Sequence, residues 1–287
     1  MAGDLLSVIE QNLETYSKGQ RLLGAYILEN YDKAAFMTAS RLGTAVGTSE
    51  STVVRFAMEL GFDGYPELQA QLQMLIRNRL TSVQRLEVAD VRLSGGNIVS
   101  SVLHSDIDKI KQTLEELDKD AFERAVNAII SAEKIYILGV RSSAALAGFL
   151  GFYFNLMFDN VRLVHTSSVS EMFEQILKVG KNDVVVGISF PRYSKRTVQA
   201  LKYSRDKGAY VLAITDSKTS PIAKFATNVL TARSDMASFV DSLVAPLSLI
   251  NALIAALTLN KKQEITRSFT ELENIWDEYN VYEKPEE

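Results

Sequence analysis

The stretch Ser189-Phe190-Pro191-Arg192-Tyr193-Ser194-Lys195-Arg196-Thr197 crowds hydroxyls and cations directly behind an all-apolar run, Val184-Val185-Val186-Gly187-Ile188. The chemistry these residues offer is the binding of an anion. A helix beginning near Ser194 would aim its unpaired amides and the positive end of its dipole at the loop, and the hydroxyls of Ser189, Tyr193 and Ser194 with the Arg192 guanidinium would complete the shell. The alternative is an ordinary polar loop that caps a helix.

Positioning such a loop requires a sheet. Strand-like runs at Lys134 to Gly139, Val161 to Val164, Asp183 to Ser189, Tyr210 to Thr215 and Asn228 to Thr231 alternate with helix-like runs. That alternation predicts an α/β domain with a five-stranded parallel sheet flanked by helices, with the loops after the strands on one edge. Further polar groups fall at predicted strand ends: Ser142 and Ser143, Thr166 and Ser168 with Glu171, and Thr215 with Asp216. Thr166 and Ser168 are candidates for the pocket; for each, a cap or loop hydroxyl is the competing reading.

Composition narrows the chemistry. The chain has 287 residues, 47% hydrophobic and 23% charged, with a net charge of −4. This suits two soluble domains, and no apolar run is long enough for a membrane span. The start, Met1-Ala2-Gly3-Asp4, has no signal-peptide pattern, so a cytoplasmic location is expected. The chain has no cysteine and two histidines, His104 and His165, without a ligand spacing. No metal site, thiol chemistry or cofactor is therefore expected. Net acidity means that any contact with DNA must be local.

The first segment, residues 1–77, reads as short helices. Leu5, Ile9, Leu13 and Tyr16 form one stripe, and Ser17-Lys18-Gly19-Gln20 has capping-box form ahead of a helix expected to end near Asn30. Residues 78–120 form a linker, broken at Ser94-Gly95-Gly96, and a packing helix from Ile98 to Leu117. The sheet domain occupies 121–260 and closes with an apolar helix through Val244, Leu247, Ile250, Leu253 and Leu257; 261–287 is an amphipathic helix and tail.

Within the first segment, Thr38 to Gly61 fits two helices joined by a turn at Gly47, a helix-turn-helix. Val53, Phe56, Ala57 and Leu60 bury one side of the second helix at i, i+3, i+4 and i+7. Ser49 at its tip and Ser51, Thr52 and Arg55 on its outer side are left for DNA. Small hydroxyls allow close approach to bases and phosphates, and a guanidinium clamps either through paired hydrogen bonds. A three-helix packing unit with no DNA role is the competing reading. Acidic residues outnumber basic ones in this segment, so a dimer reading two half-sites is the physically sensible binder.

Ser49-Glu50-Ser51-Thr52-Val53-Val54-Arg55-Phe56, followed by Leu60-Gly61-Phe62-Asp63-Gly64-Tyr65-Pro66-Glu67-Leu68, resembles the helix-turn-helix domain of the RpiR/MurR family of bacterial transcription regulators. Members of that family join this domain to a sugar isomerase (SIS) domain, so the resemblance covers nearly the whole chain. It implies control of transcription by a sugar phosphate, usually in dimers or higher oligomers. In SIS domains a loop resembling Gly-x-Gly-x-Ser and a second resembling Ser-x-Ser-Gly-x-Thr supply hydroxyls to the ligand. The first matches Gly139-Val140-Arg141-Ser142-Ser143, with Arg141 at the second glycine position. The second matches Ser189-Phe190-Pro191-Arg192-Tyr193-Ser194, with Pro191 and Arg192 in place of a serine and a glycine. Pro191 removes a hydroxyl and an amide donor, while Arg192 adds a permanent cation. Phosphate recognition then survives by exchange of parts, or Arg192 instead bonds a carboxylate or bridges subunits.

The expected function is a DNA-binding regulator, not an enzyme. Its expected partners are a double-stranded operator, a small phosphorylated sugar or related metabolite, and further copies of itself as a homodimer or homotetramer, with no membrane. The alternative, a sugar-phosphate isomerase, needs a positioned base, for which Glu171 and His165 are the candidates. A dinucleotide enzyme is disfavoured because the opening loop lacks Gly-x-Gly-x-x-Gly.

Overall fold

The computed structural model describes residues 4–76, 81–93, 97–166, 168–236 and 238–283. They form two compact units, Met1–Ser101 with Met236–Asp241, and Val102–Asp235 with Ser242–Glu287. The expected boundary at 77–78 and the break at Ser94-Gly95-Gly96 lie outside the described residues.

The first unit is helical: α1 (Asp4–Gln11), α2 (Lys18–Ala34), α3 (Ala39–Val46), α4 (Glu50–Glu59), α5 (Tyr65–Ile76) and α6 (Ser82–Leu93). The stripe expected along one first helix is divided between two elements. Helix α1 stops at Gln11, Leu13 lies in a short 3-10 turn, and Tyr16 is extended, yet Leu5, Ile9 and Tyr16 are all buried. Local hydrogen bonds account for the break: Asn12 Nδ2 donates to the Val8 carbonyl at 2.8 Å and Thr15 Oγ1 to that of Asn12 at 2.7 Å. Helix α2 does not end at Asn30 but kinks there, at φ −132° and ψ 37°, and runs on so that Ala34 joins the core. Tyr65 ties α5 to the end of α2, its hydroxyl lying 2.7 Å from the Met37 carbonyl and 3.2 Å from that of Ala34. Burial pushes this phenol up to about 12.

After α7 (Ile98–Glu116) and α8 (Lys119–Ile130), strands and helices alternate. They are β1 (Ile135–Gly139), α9 (Ser143–Met157), β2 (Val161–Val164), α10 (Val169–Ile176), β3 (Val184–Ile188), α11 (Lys195–Asp206), β4 (Tyr210–Thr215) and β5 (Asn228–Thr231). Helices α12 (Val244–Asn260) and α13 (Lys262–Glu278) close the chain. The five strands are parallel, in the order β2-β1-β3-β4-β5, with Ile135 in register with both Val161 and Val184. This is the sheet the sequence predicts.

Its strands are apolar throughout because both faces are covered. Ile135, Ile137, Val184, Val186 and Leu212 pack with α8, α9 and α12, whereas Tyr136, Leu138, Val185, Val211 and Ala213 pack with α10 and α11. Period-two alternation thus sends neighbouring residues to two separate cores. Among the described residues no single helix is long and apolar enough to cross a membrane; α12 and α13 pass such a test only as a pair, bent by 98°.

One glycine sets how closely a helix approaches the sheet. A Cβ on Gly139 would lie 2.5 Å from the Ser143 carbonyl oxygen and 2.9 Å from the Ala147 Cβ, so α9 can pack on the end of β1 only if position 139 has no side chain. Gly139→Ala is expected to destabilise the sheet unit by about 1–3 kcal/mol through overpacking, read as a lower urea midpoint. An unchanged midpoint would mean that α9 shifts without cost.

Candidate functional site

The order β2-β1-β3 places β1 between the strand that follows it and the strand that comes after. Crossovers leave its two sides in opposite directions, and the loops after β1 and β3 diverge to open a crevice at their carboxyl ends. A cleft of about 580 Å³ lies there, a size suited to a small metabolite. Gly139, Val140, Arg141 and Ala144 line one side, His165 and Thr166 follow β2, and Arg192, Tyr193, Ser194, Lys195 and Arg196 lead into α11.

Helix α11 starts as the sequence predicts. Ser194 is its N-cap, with Oγ accepting from the Arg196 amide at 3.2 Å, and the helix N-terminus with its exposed Lys195 and Arg196 faces the cleft. Tyr193 is held from behind: its hydroxyl donates to Asp216 Oδ1 at 2.6 Å, and Thr215 Oγ1 donates to the same oxygen at 3.2 Å. Thr166 Oγ1 accepts from the Ser168 amide at 2.9 Å and donates to Glu171. The Glu171 carboxylate is thereby engaged by Thr166, a residue of the lining.

The backbone holds a further feature. Arg141 and Arg192 have φ of 57° and 62°, the left-handed conformation in which a Cβ crowds its own carbonyl and which glycine adopts freely. The two turns hold roughly 1–2 kcal/mol of local strain apiece.

Of the residues singled out in the sequence, Thr166, Arg192, Tyr193 and Ser194 meet at the cleft, whereas Ser142, Ser143, Ser189 and Ser168 are not in its lining. Ser143 is buried in the first turn of α9 against Gly139, and Ser189 is buried at the end of β3, where its amide donates to the Ile214 carbonyl at 3.1 Å. Ser142 is exposed at the start of α9, and Ser168 caps α10. Arg141, Lys195 and Arg196 also line the cleft; the sequence places them in the two loops without assigning them ligand contact, and His165, weighed there as a base, joins the lining. Their signal was available: two are first-turn cations of a helix already placed at an anion loop. Among the described residues no group of three or more histidines and carboxylates could hold a metal ion.

The helical unit presents its own surface. Helix α3 ends at Gly47 in the left-handed conformation (φ 72°), and α4 starts from Ser49, whose Oγ accepts from the Thr52 amide at 3.3 Å. A Cβ on Gly43 would meet the Thr48 carbonyl at 2.9 Å, so the turn folds back onto α3 through a residue without a side chain. Leu42, Val53, Phe56 and Ala57 are buried. Ser49, Ser51 and Arg55 are exposed, and Arg55 Nε donates to the Ser51 carbonyl at 3.3 Å. Thr52 departs from the expectation of an exposed residue: it is half-buried, its methyl packed on the helix at Gly19.

Comparison with known proteins matches both units. Residues 3–79 match the helix-turn-helix domain of the rpiR family, and residues 128–256 match the SIS domain. The regulator HexR of Escherichia coli K12 is 29% identical over 265 residues, covering 90% of this chain and 89% of that protein. The sugar isomerase domain of an RpiR transcription factor from Sphaerobacter thermophilus is 28% identical, with a TM-score of 0.57 over 60% of this chain and 96% of that one. The NanR protein of Vibrio vulnificus, solved in complex with ManNAc-6P, shares the fold at a TM-score of 0.59 and 23% identity, covering 96% of this chain and 98% of its own. With a helix-turn-helix whose second helix is capped by Ser49, and a five-stranded sheet with a cationic cleft at its switch point, the chain belongs to the RpiR family of transcription regulators.

Proposed function

We propose that this regulator senses a phosphorylated sugar or related metabolite in the cleft after β1 and β3, without turning it over, and changes its affinity for an operator in response. The observation that carries this reading is the lining: Arg141, Arg192, Lys195 and Arg196 converge on the N-terminus of α11, where a phosphate is favoured by the helix dipole and the first-turn amides. Thr166, Arg192, Tyr193 and Ser194 contact the ligand, and Ser142, Ser143, Ser189 and Ser168 sit in the turns that shape the cleft. NanR, of the same fold, holds a phosphosugar.

Absence of turnover is supported by the chemistry of the lining. Proton transfer between neighbouring carbons needs a positioned base, and the candidate carboxylate, Glu171, is already engaged by the Thr166 hydroxyl. His165 does line it, and this favours the isomerase as the second reading. Steady turnover of fructose 6-phosphate or glucosamine 6-phosphate would establish that reading and remove this one.

On the DNA side, Ser49, Ser51, Thr52 and Arg55 form the reading surface of α4. A homodimer inside the cell would place two such helices on two half-sites, and a ligand that favours one arrangement of the pair shifts operator affinity by its differential binding. The experiment is a thermal-shift and operator-binding titration of the full chain with a panel of phosphosugars. A ligand at 100 times its Kd is expected to stabilise the protein by about 2.7 kcal/mol and to move operator affinity. If no member of the panel changes either quantity, the sensing reading falls.

A further inference from the structure

The connection from β5 to α12 is divided between the two units. The chain stays in the sheet unit to Asp235, its next residues, Met236–Asp241, belong to the helical unit, and it re-enters the sheet unit at Ser242. The neck of this arm is tied: the Ser242 amide donates to the Asp235 carbonyl at 3.0 Å, Ser234 Oγ donates to the Ser242 carbonyl at 2.9 Å, and Met236 pairs with Asp241 as an antiparallel bridge. Inside the helical unit Met236 packs on the core, and Nη1 of Arg85 in α6 donates to both Asp241 carboxylate oxygens, at 3.1 and 3.0 Å, and to the Phe239 carbonyl at 3.4 Å. Arg85 is 3% exposed. A cation buried to that degree is costly without its counter-charge, so the helical unit depends on an acid that the arm delivers.

The neck is also joined to the cleft. All five strands are parallel, so the connection after β5 leaves from the edge that holds the cleft. Ser242 Oγ donates to Asp106 Oδ1 of α7 at 2.6 Å, and Asp106 pairs with the buried Lys109. Beside the neck, the Arg233 amide donates to Thr113 Oγ1 at 2.9 Å, and its guanidinium pairs with Glu116. The hydrogen bond to Glu116 above all raises the Arg233 pKa, and the charges of Asp235 and Asp216 act in the same direction. Asp216 is the acid that accepts the Tyr193 hydroxyl at 2.6 Å, and Tyr193 lines the cleft. A ligand that moves Tyr193 therefore disturbs a charge felt at the neck of the arm.

Resting on the sensing reading above, we propose that Met236–Asp241 is a coupling arm: the cleft and the helix-turn-helix bias each other through it, with the Arg85–Asp241 ion pair as the joint. A buried pair suits that role because it is either made or broken; half-open, it leaves a charge in the interior without its partner. Two ligands that prefer different states of one such element change each other's affinity.

Coupling of this kind is reciprocal, so operator DNA serves as the probe and no metabolite is needed. Hydrogen exchange of the full chain is read by mass spectrometry with and without DNA that the wild-type chain selects from a random pool. In the wild type, DNA is expected to change exchange in residues 190–196, 215–217 and 233–242 by at least about threefold. In the double variant Arg85→Met, Asp241→Asn, which leaves no member of the pair charged, the change at 190–196 and 215–217 is expected to vanish while DNA affinity stays within about threefold. Ser242→Ala loosens the neck without touching the helical unit and is expected to give the same loss, which keeps the test decisive should the double variant not fold. Arg21→Gln, which breaks the exposed pair with Glu14 elsewhere in the helical unit, is expected to keep the change.

Bound DNA that leaves the cleft loops of the wild type unchanged would overturn the inference, as would a change that survives in the folded arm variants or is lost equally in Arg21→Gln. None of these results touches ligand binding in the cleft, which the phosphosugar titration decides. Failure of the wild-type chain to select any DNA would bring down the operator reading, and the coupling arm with it.

Discussion

Phe56→Ala is expected to remove most of the stability of the helical unit, about 3–5 kcal/mol, and with it all operator binding. Phe56 has no solvent exposure, meets the Tyr16 ring edge-on with centroids 5.2 Å apart, and comes close to the backbone of α2 at Gly24. It therefore joins three elements, the α1–α2 connection, α2 and α4, at the middle of the recognition helix. A small helical domain holds only a few kcal/mol in reserve, so a cavity of this size consumes nearly all of it. In a urea melt of the full chain followed by circular dichroism, the part of the signal lost at low denaturant is expected to be helical. The stabilisation given by a cleft ligand should persist, because the sheet unit has its own cores. A melt within about 1 kcal/mol of wild type would show that the site collapses around the gap and that Phe56 does not organise this unit.

The same residue shows why so much of the fold could be read from the sequence. Phe56 belongs to an i, i+3, i+4, i+7 pattern, and such a pattern fixes a buried face whatever surrounds it. The strands were legible for a related reason: a run such as Val184 to Ile188, apolar at every position, fits a strand buried on both faces and little else of that length. Where short polar side chains compete for backbone groups, periodicity lost its authority. Asn12 and Thr15 end α1 early although Leu13 and Tyr16 continue its stripe, and Asn30 kinks α2 without ending it.

The candidate site was legible in place more than in detail. Strand ends marked where a ligand would sit, but a serine at a strand end does not declare which way it faces. Ser143 and Ser189 turn into the packing, and the cations beside them line the cleft. Nothing in the letters Arg141 and Arg192 announces a left-handed backbone, since arginine is not a residue type associated with it. Only comparison of the loops with a glycine pattern could suggest it, and only φ values of 57° and 62° establish it.

Arg55→Ala is expected to weaken operator binding by about 1–3 kcal/mol for each recognition helix, hence by roughly 2–6 kcal/mol for a dimer that uses two. Arg55 is exposed on α4, one turn beyond Ser51, and the hydrogen bond from its Nε to the Ser51 carbonyl directs the guanidinium along the helix toward its N-terminal end, the end that enters a groove. The fold should be untouched, since the side chain is exposed. DNA selected from a random pool by the wild-type chain supplies the operator, and titrations across salt separate two roles. If Arg55 holds a guanine edge, the variant loses discrimination at one base position in each half-site. If it holds a phosphate, affinity falls evenly across sequences and the salt slope drops by about one for each arginine removed. Ser49→Ala acts by another route, because Ser49 Oγ accepts the Thr52 amide. Its effect on binding should track a loss of about 0.5–2 kcal/mol in stability, which Arg55→Ala leaves alone. Unchanged affinity in Arg55→Ala would take this residue off the reading surface and leave Ser49 and Ser51, whose hydroxyls share a 2.9 Å hydrogen bond at the helix tip, as its exposed polar contacts.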